Sequence, residues 1–147
     1  MKIGVPKEIK PQENRIGLTP ESVKDLIKNG HEVLVENNGG YEAGFENKQY
    51  QDAGAKIVNK AEDIFNDSEI IVKVTKKRQE ISISVENDGT KIKDNQIKSC
   101  FERFSQIGES GGAGLGLALV NEIAKLHNGS LTVSSKASMK FTFSIPA

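Results

Sequence analysis

Two short stretches of this sequence hold residues that could bind an anion. Arg15 lies in a loop-like segment, and a guanidinium can grip a carboxylate with two parallel hydrogen bonds. Taken alone, an arginine in such a loop is more often a solvated side chain. The second stretch, Gly111-Gly112-Ala113-Gly114-Leu115-Gly116, precedes a predicted helix. Glycines let a backbone approach phosphate closely and a helix N-terminus favours negative charge, although a glycine-rich hinge that binds nothing has the same composition.

Side chains that usually carry nucleophilic or acid–base chemistry are scarce. Cys100 is the single cysteine, so no internal disulfide can form and a reducing cytoplasm is the expected location. Its apolar neighbours favour a buried, inert thiol over a nucleophile. His31 and His127 are the two histidines, and both favour structural positions near helix ends. We therefore expect no catalytic residue and no metal site.

The first half of the chain reads as strands alternating with helices. "KIGV", "HEVLVE", "AKIV" and "EIIVKV" are strand candidates, and "KQYQDAG" and "AEDIFND" are short helix candidates. The stretch "LTPESVKDLIKNG" predicts a helix capped by Thr19, with Pro20 at its first position and Gly30 at its end. Such alternation indicates parallel βαβ units.

The second half has a different pattern. "EISISV" alternates strictly, which indicates a strand with one wet face, whereas "IIVKV" is nearly continuously apolar, as in a strand buried on both faces. "KDNQIKSCFERF" predicts a helix from Asp94, with Ile97, Phe101 and Phe104 on one face. "LGLALVNEIAKLH" predicts a helix with an apolar stripe, and "SLTVSS" and "KFTFSI" predict an antiparallel hairpin. The stripe consists of Leu115, Leu119, Ile123 and Leu126.

The overall composition limits the classes of partner. The 147 residues include 20 basic and 20 acidic side chains, so the balance indicates neither a nucleic-acid nor an anionic-membrane partner. No apolar run reaches about 18 residues, which argues against a membrane span.

Residues 1–74 resemble the N-terminal part of alanine dehydrogenases and of the related nicotinamide nucleotide transhydrogenase subunit. The signature is "PKE…ENR…LTP", and the likeness continues through "YQDAGAKIVNKAEDIFNDSEIIVKV". The resemblance implies that this segment begins a substrate domain and that Arg15 holds the carboxylate of pyruvate or alanine. It also places Lys73 at the family's first lysine position. The second substrate-contacting lysine is replaced by Thr75, and the NAD-binding glycine motif is not visible, so we expect NAD not to bind.

Residues 75–147 resemble the ATP-binding domain of sensor histidine kinases, with four motifs in the family's order. These are "VENDGTKI", "FERF", "GGAGLGLALV" and "IAKLHNGSLTVSS". The resemblance implies ATP or ADP binding with Mg²⁺ through a set of loop residues: Asn87, Gly89, Gly112, Gly114, Leu115 and Gly116. Asn87 stands where the family has its adenine-reading aspartate, and an amide oxygen can still accept from an adenine amino group. The asparagine-bearing helix that helps to hold Mg²⁺ and the phosphoaccepting histidine helix have no counterpart here.

These features predict a junction of two truncated domains near residues 75–78. Each segment alone would expose an apolar face and an unpaired sheet edge. Val74 and Ile81 are close in sequence, and the short link between them allows a hairpin-like return. We therefore predict one merged α/β domain with a mixed sheet, in which a parallel βαβ half is followed by an antiparallel half and helices pack on the sheet. Two loosely tethered fragments are the alternative.

Three functional hypotheses follow from the sequence. The favoured one is a recombined or designed chimera without a complete catalytic site and without native enzyme activity. The second is a residual ATP/ADP-binding module, and the third is a protein that binds a small carboxylate through Arg15 and Lys73. A small anion or a nucleotide is the expected partner, and an open sheet edge would favour a homodimer.

Overall fold

The computed structural model describes residues 1–9, 14–77, 79–105 and 113–147. Its strands are β1 (Lys2–Val5), β2 (Glu32–Glu36), β3 (Lys56–Val58), β4 (Ile70–Lys77), β5 (Glu80–Asn87), β6 (Ser130–Ser134) and β7 (Met139–Pro146). Its α-helices are α1 (Pro20–Lys28), α2 (Asn47–Asp52), α3 (Ala61–Asp67) and α4 (Gly116–Leu126). Short 3₁₀ turns span Tyr41–Ala43, Asp94–Gln96 and Ser99–Phe101.

Within the described part of the chain, all the strands form one sheet of seven, in the order β3-β2-β1-β4-β5-β7-β6. The pairs β2–β3, β1–β2 and β1–β4 are parallel, whereas β4–β5, β5–β7 and β6–β7 are antiparallel. The predicted α/β class with a parallel first half and an antiparallel second half is therefore confirmed.

The change from parallel to antiparallel pairing occurs between β4 and β5. These strands pair over their full length, from Ile70 opposite Asn87 to Lys77 opposite Glu80. The strand predicted from residues 70–74 thus continues to Lys77, because the return of the chain supplies a partner for each added residue.

Local sequence signals explain the first helix. The Thr19 hydroxyl accepts a hydrogen bond from the Ser22 amide at 3.3 Å, and Pro20 begins α1 where no amide hydrogen is needed. Gly30 follows the helix with a φ of 80°, a left-handed conformation that suits glycine. The predicted cap, start and end of this helix are confirmed.

Most of the core lies on one face of the sheet. Val72, Val85 and Phe141 are cross-strand neighbours on this face, because they pair in register across β4, β5 and β7. One cluster packs α1 and α2 against the parallel half, and its buried members are Ile3, Val5, Ile16, Val23, Val33, Val35, Tyr50, Ala55 and Val72. A smaller cluster lies under the antiparallel half, where Ile92, Cys100 and Met139 are buried and Leu117 of α4 packs against them.

Helix α3 covers the opposite face of the parallel half. Gly4 of β1 permits this approach, since a Cβ there would lie 2.5 Å from the Ile64 side chain of α3. On the same face of the antiparallel half, the side chains are polar: Ser82 and Ser144 form a hydrogen bond of 3.1 Å, and Ser84 lies beside them. The alternation in "EISISV" thus marks a polar face, but the expectation that this face is wet is wrong: Ser82 and Ser84 are 9% and 7% exposed, whereas Ile83 on the other face is 40% exposed.

Two sequence expectations for the second half are wrong. Residues 94–101 form two 3₁₀ turns in place of one α-helix, and Phe104, with a φ of 63°, is 74% exposed. Helix α4 packs through Leu117, Ala118 and Ala124, so its larger apolar stripe faces outward. The stripe residues are exposed by 43%, 62%, 39% and 82% at Leu115, Leu119, Ile123 and Leu126. The buried positions of α4 carry the small side chains of Ala118 and Ala124, which let the helix lie close to the sheet.

Candidate functional site

The segment that carries Arg15 is held on the main core face of the sheet. Ile16 is buried in the larger core cluster, and a Cβ at Gly17 would lie 2.6 Å from the Val72 carbonyl oxygen. Arg15 itself is half-buried at the start of this segment. The loop is therefore tied to β4 by a close backbone approach that only glycine allows.

Tyr50 holds the same segment from the other side. Its ring is completely buried, and its hydroxyl donates a hydrogen bond of 3.0 Å to the Leu18 carbonyl oxygen. Burial raises the pKa of Tyr50 to about 12, so the hydroxyl stays protonated and remains a donor. Sequence reasoning missed this residue. Its position in "KQYQDAG", an apolar ring in an otherwise polar short helix, was the available signal.

Lys73 lies on the opposite face of β4. Successive side chains of a strand alternate between faces, and Val72 belongs to the core that receives Ile16. The Lys73 ammonium instead lies 5.9 Å from the centre of the Phe65 ring on α3. The structure thus does not bring Lys73 to the face on which the Arg15 segment packs.

Asn87 ends β5 and orders the turn that follows. Its Oδ1 accepts a hydrogen bond of 2.9 Å from the Gly89 amide. This bond occupies the oxygen that the kinase resemblance would use for adenine, although a carbonyl oxygen has a second lone pair. Gly89 thereby contributes its amide to the local turn.

The described part of the glycine-rich loop contacts the preceding aromatic motif. The Phe104 amide donates a hydrogen bond of 2.9 Å to the Gly114 carbonyl oxygen. Gly114 has a φ of 66°, and a Cβ there would lie 2.6 Å from the Ser105 carbonyl oxygen. Leu115 precedes α4, and Gly116 begins it with open space around its Cα. Gly112 lies outside the described residues.

A cavity lies where the two predicted segments meet, and we call it the seam cavity. Its volume is about 230 Å³, and it brings together Lys73 from the first segment and Asn87 from the second. The complete lining is Phe65, Ser68, Glu69, Ile71, Lys73, Glu86, Asn87, Asp88 and Ser138. The predicted carboxylate-binding lysine and the predicted adenine-reading asparagine therefore line the same cavity, although they were assigned to different sites.

Two of the cavity's carboxylates are engaged within the fold. Glu86 accepts a hydrogen bond from the Ser138 hydroxyl and lies 3.4 Å from the Lys140 ammonium. The Ser138 bond, followed by the positive charge of Lys140, lowers the pKa of Glu86, so this carboxylate is ionised near neutral pH. Glu69 accepts a hydrogen bond of 2.6 Å from the Lys2 amide.

Cys100 is a buried thiol whose Sγ lies 2.9 Å from the Ile97 carbonyl oxygen. Burial raises the pKa of Cys100, which disfavours the reactive thiolate, in agreement with the expected inert role. Among residues 1–9, 14–77, 79–105 and 113–147, no three His, Cys, Asp or Glu side chains group as metal ligands would. The same residues include no helix long and apolar enough to cross a membrane.

Comparison with known proteins identifies the family. The sequence profile described as alanine dehydrogenase/PNT, N-terminal domain, matches residues 4–127. The chain belongs to this family. This membership confirms the alanine dehydrogenase resemblance of the first segment. The profile also runs beyond the predicted junction near residue 75, so the proposed boundary between the two segments stays a prediction.

An individual alanine dehydrogenase also matches part of the chain. The chain is 49% identical over 80 residues to the alanine dehydrogenase of Staphylococcus haemolyticus (strain JCSC1435), a match that covers 54% of the chain and 21% of the enzyme. The chain thus spans about a fifth of the length of this relative.

Two solved structures also align with parts of the chain. An L-alanine dehydrogenase has 49% identity and a TM-score of 0.48, with coverage of 50% of this chain and 20% of that one. A mycobacterial sensor histidine kinase has 23% identity and a TM-score of 0.46, with coverage of 52% of this chain and 55% of that one. The histidine kinase resemblance of residues 75–147 stays a prediction.

Proposed function

We propose that this chain is a hybrid of two truncated domains and has neither alanine dehydrogenase nor histidine kinase activity. In this proposal residues 75–147 complete the sheet of an alanine dehydrogenase-like N-terminal segment, residues 1–74. The supporting observation is the β4–β5 pairing, in which each of the eight residues from Ile70 to Lys77 has a partner on β5. A strand inherited from one family is thereby covered along its whole edge by the segment that resembles another.

The positions of the predicted substrate residues support the same proposal. Arg15 belongs to a segment packed on one face of β4, whereas Lys73 points to the other face, toward Phe65. Thr75, where the family has its second substrate lysine, offers no positive charge. A carboxylate held by Arg15 would therefore lack the two lysines that the family resemblance implies.

The experiment combines turnover with ligand binding. NAD-dependent oxidation of alanine, reductive amination of pyruvate and transfer of phosphate from Mg-ATP are each measured, with an intact alanine dehydrogenase and an intact histidine kinase as positive controls. We expect no turnover. Alanine oxidation or phosphotransfer at ordinary enzyme rates would overturn the proposal.

Thermal shift distinguishes the two alternative functions. A ligand present at about 100 times its dissociation constant stabilises a fold by roughly 2.7 kcal/mol. A rise in Tm with pyruvate that disappears in Arg15→Ala but persists in the control Lys24→Ala would support small-carboxylate binding. A rise with Mg-ADP that disappears in Asn87→Ala would support a nucleotide-binding module. The hybrid hypothesis predicts neither.

A further inference from the structure

We propose that the seam cavity binds a small zwitterion whose two charges are separated by several bonds, such as an ω-amino acid or a dipeptide. In this arrangement Lys73 pairs with the ligand's carboxylate and Asp88 with its ammonium group. Neither Arg15 nor the described residues of the glycine-rich loop line this cavity, although Lys73 and Asn87 were each assigned to one of the sites implied by the family resemblances. The inference does not depend on whether the chain has catalytic activity.

The charges of the lining select a ligand with both signs. Glu86 is paired with Lys140 and Ser138, and Glu69 is turned toward the Lys2 amide. Lys73 and Asp88 are the charged lining groups for which the described residues provide no direct ion pair and no hydrogen bond. A simple anion would pair with Lys73 but be repelled by Asp88. A simple cation would pair with Asp88 but be repelled by Lys73. A zwitterion satisfies both.

The strand register sets the spacing of the ligand's charges. Lys73 is opposite Ser84 on β5, and Asp88 lies four residues beyond Ser84. At roughly 3.4 Å per residue, these two backbone positions are about 14 Å apart, and the long lysine side chain spans part of that distance. The adjacent charges of an α-amino acid are too close together to reach both groups, whereas an ω-amino acid or a dipeptide has the required length.

Apolar lining groups complement the middle of such a ligand. Phe65 and Ile71 provide apolar surface for methylene groups. A cavity of about 230 Å³ suits a small molecule.

The test is a titration of the full chain, followed by ¹H–¹⁵N NMR, with γ-aminobutyrate and glycylglycine as probes. We expect saturable shifts of the Lys73, Asn87 and Asp88 amide signals. Lys73→Met and Asp88→Asn should each weaken binding at least tenfold, whereas Lys56→Met on β3 and Asp52→Asn on α2 leave it unchanged. Lys73→Gln tests the loss of charge a second time if Lys73→Met perturbs the spectrum of the fold.

Probes with a single charge test whether the cavity requires both charges of the ligand. Butyrate and butylamine should bind at least tenfold more weakly than γ-aminobutyrate. Equal binding of butyrate would overturn the proposal, since it would indicate a site for anions alone, and equal binding of butylamine would do so for cations. Absence of a saturable shift with both zwitterions, or binding that survives Lys73→Met and Asp88→Asn, would also overturn it.

Discussion

At the scale of single residues, Tyr50 links the second helix to the loop that carries Arg15. Its buried ring fills the larger core cluster, and its hydroxyl satisfies the Leu18 carbonyl oxygen. Phe45 contacts the ring edge-on, with ring centres 6.3 Å apart. The side chain therefore serves both packing and the position of a loop far away in sequence.

Tyr50→Phe should destabilise the fold by about 1–2 kcal/mol, because it removes the donor and leaves the Leu18 carbonyl oxygen unsatisfied. Urea titration monitored by circular dichroism measures the change. Tyr41→Phe is the matched control, since Tyr41 is 63% exposed, and it should change stability by less than about 0.5 kcal/mol. Equal effects of the two substitutions would show that the buried hydrogen bond contributes nothing.

Glu86, which lines the seam cavity, makes the stability of the fold depend on pH. Its pKa is lowered in the folded state, so its ionised form stabilises the fold above the pKa of an unfolded glutamate. This contribution is lost as the pH falls through the lowered, folded-state pKa. The carboxylate is 40% exposed, so solvent screening keeps its contribution modest.

Glu86→Gln should therefore cost about 0.5–1 kcal/mol at pH 7 and less at pH 3. Urea titrations of both proteins at the two pH values measure this difference. Glu42→Gln is the control, because Glu42 is exposed and has no bond among the described contacts. A cost that is the same at both pH values would contradict the assignment of the effect to the carboxylate charge.

At the scale of elements, the glycine-rich loop shows that neighbouring glycines have different roles. Gly114 has a positive φ and is pressed against the Phe104–Ser105 backbone, whereas Gly116 stands in open space at the first position of α4. The family motif has glycine at both positions, whereas the backbone geometry requires glycine only at Gly114.

Gly114→Ala should destabilise the fold by about 1–3 kcal/mol, since its Cβ would clash with backbone that cannot give way cheaply. Gly116→Ala should be neutral or stabilising by about 0.5–1 kcal/mol, because alanine restricts the unfolded chain and fits the helix. Thermal unfolding of the two variants side by side is the measurement. A destabilised Gly116→Ala with an unaffected Gly114→Ala would reverse the assignment.

At the scale of the whole molecule, the sheet joins a parallel half and an antiparallel half through the β4–β5 pair. The continuous row of Val72, Val85 and Phe141 carries the apolar face from the parallel half into the antiparallel half. Removal of either half would leave an eight-residue edge strand unpaired and its apolar face open to water.

Residues 1–77 and 78–147, produced as separate polypeptides, should therefore be unfolded or aggregated alone. Mixing them should restore a folded spectrum, because β4 and β5 then pair again. Circular dichroism and ¹H–¹⁵N NMR of each piece and of the mixture are the measurements. A stable, soluble fold of either piece alone would refute mutual shielding.

The sequence by itself determined the type and order of nearly all the elements, because punctuation and periodicity are local. Thr19, Pro20 and Gly30 mark α1 whatever surrounds it, and strict alternation in "EISISV" indicates one polar face. The outward stripe of α4 and the 3₁₀ turns at residues 94–101 were decided by tertiary packing, since the same apolar periodicity suits either face of a helix. Only the folded sheet could place Lys73 away from the Arg15 segment and in the same cavity as Asn87. The face to which a side chain points is readable from a strand, but its partner across the sheet depends on a register set by residues distant in the chain.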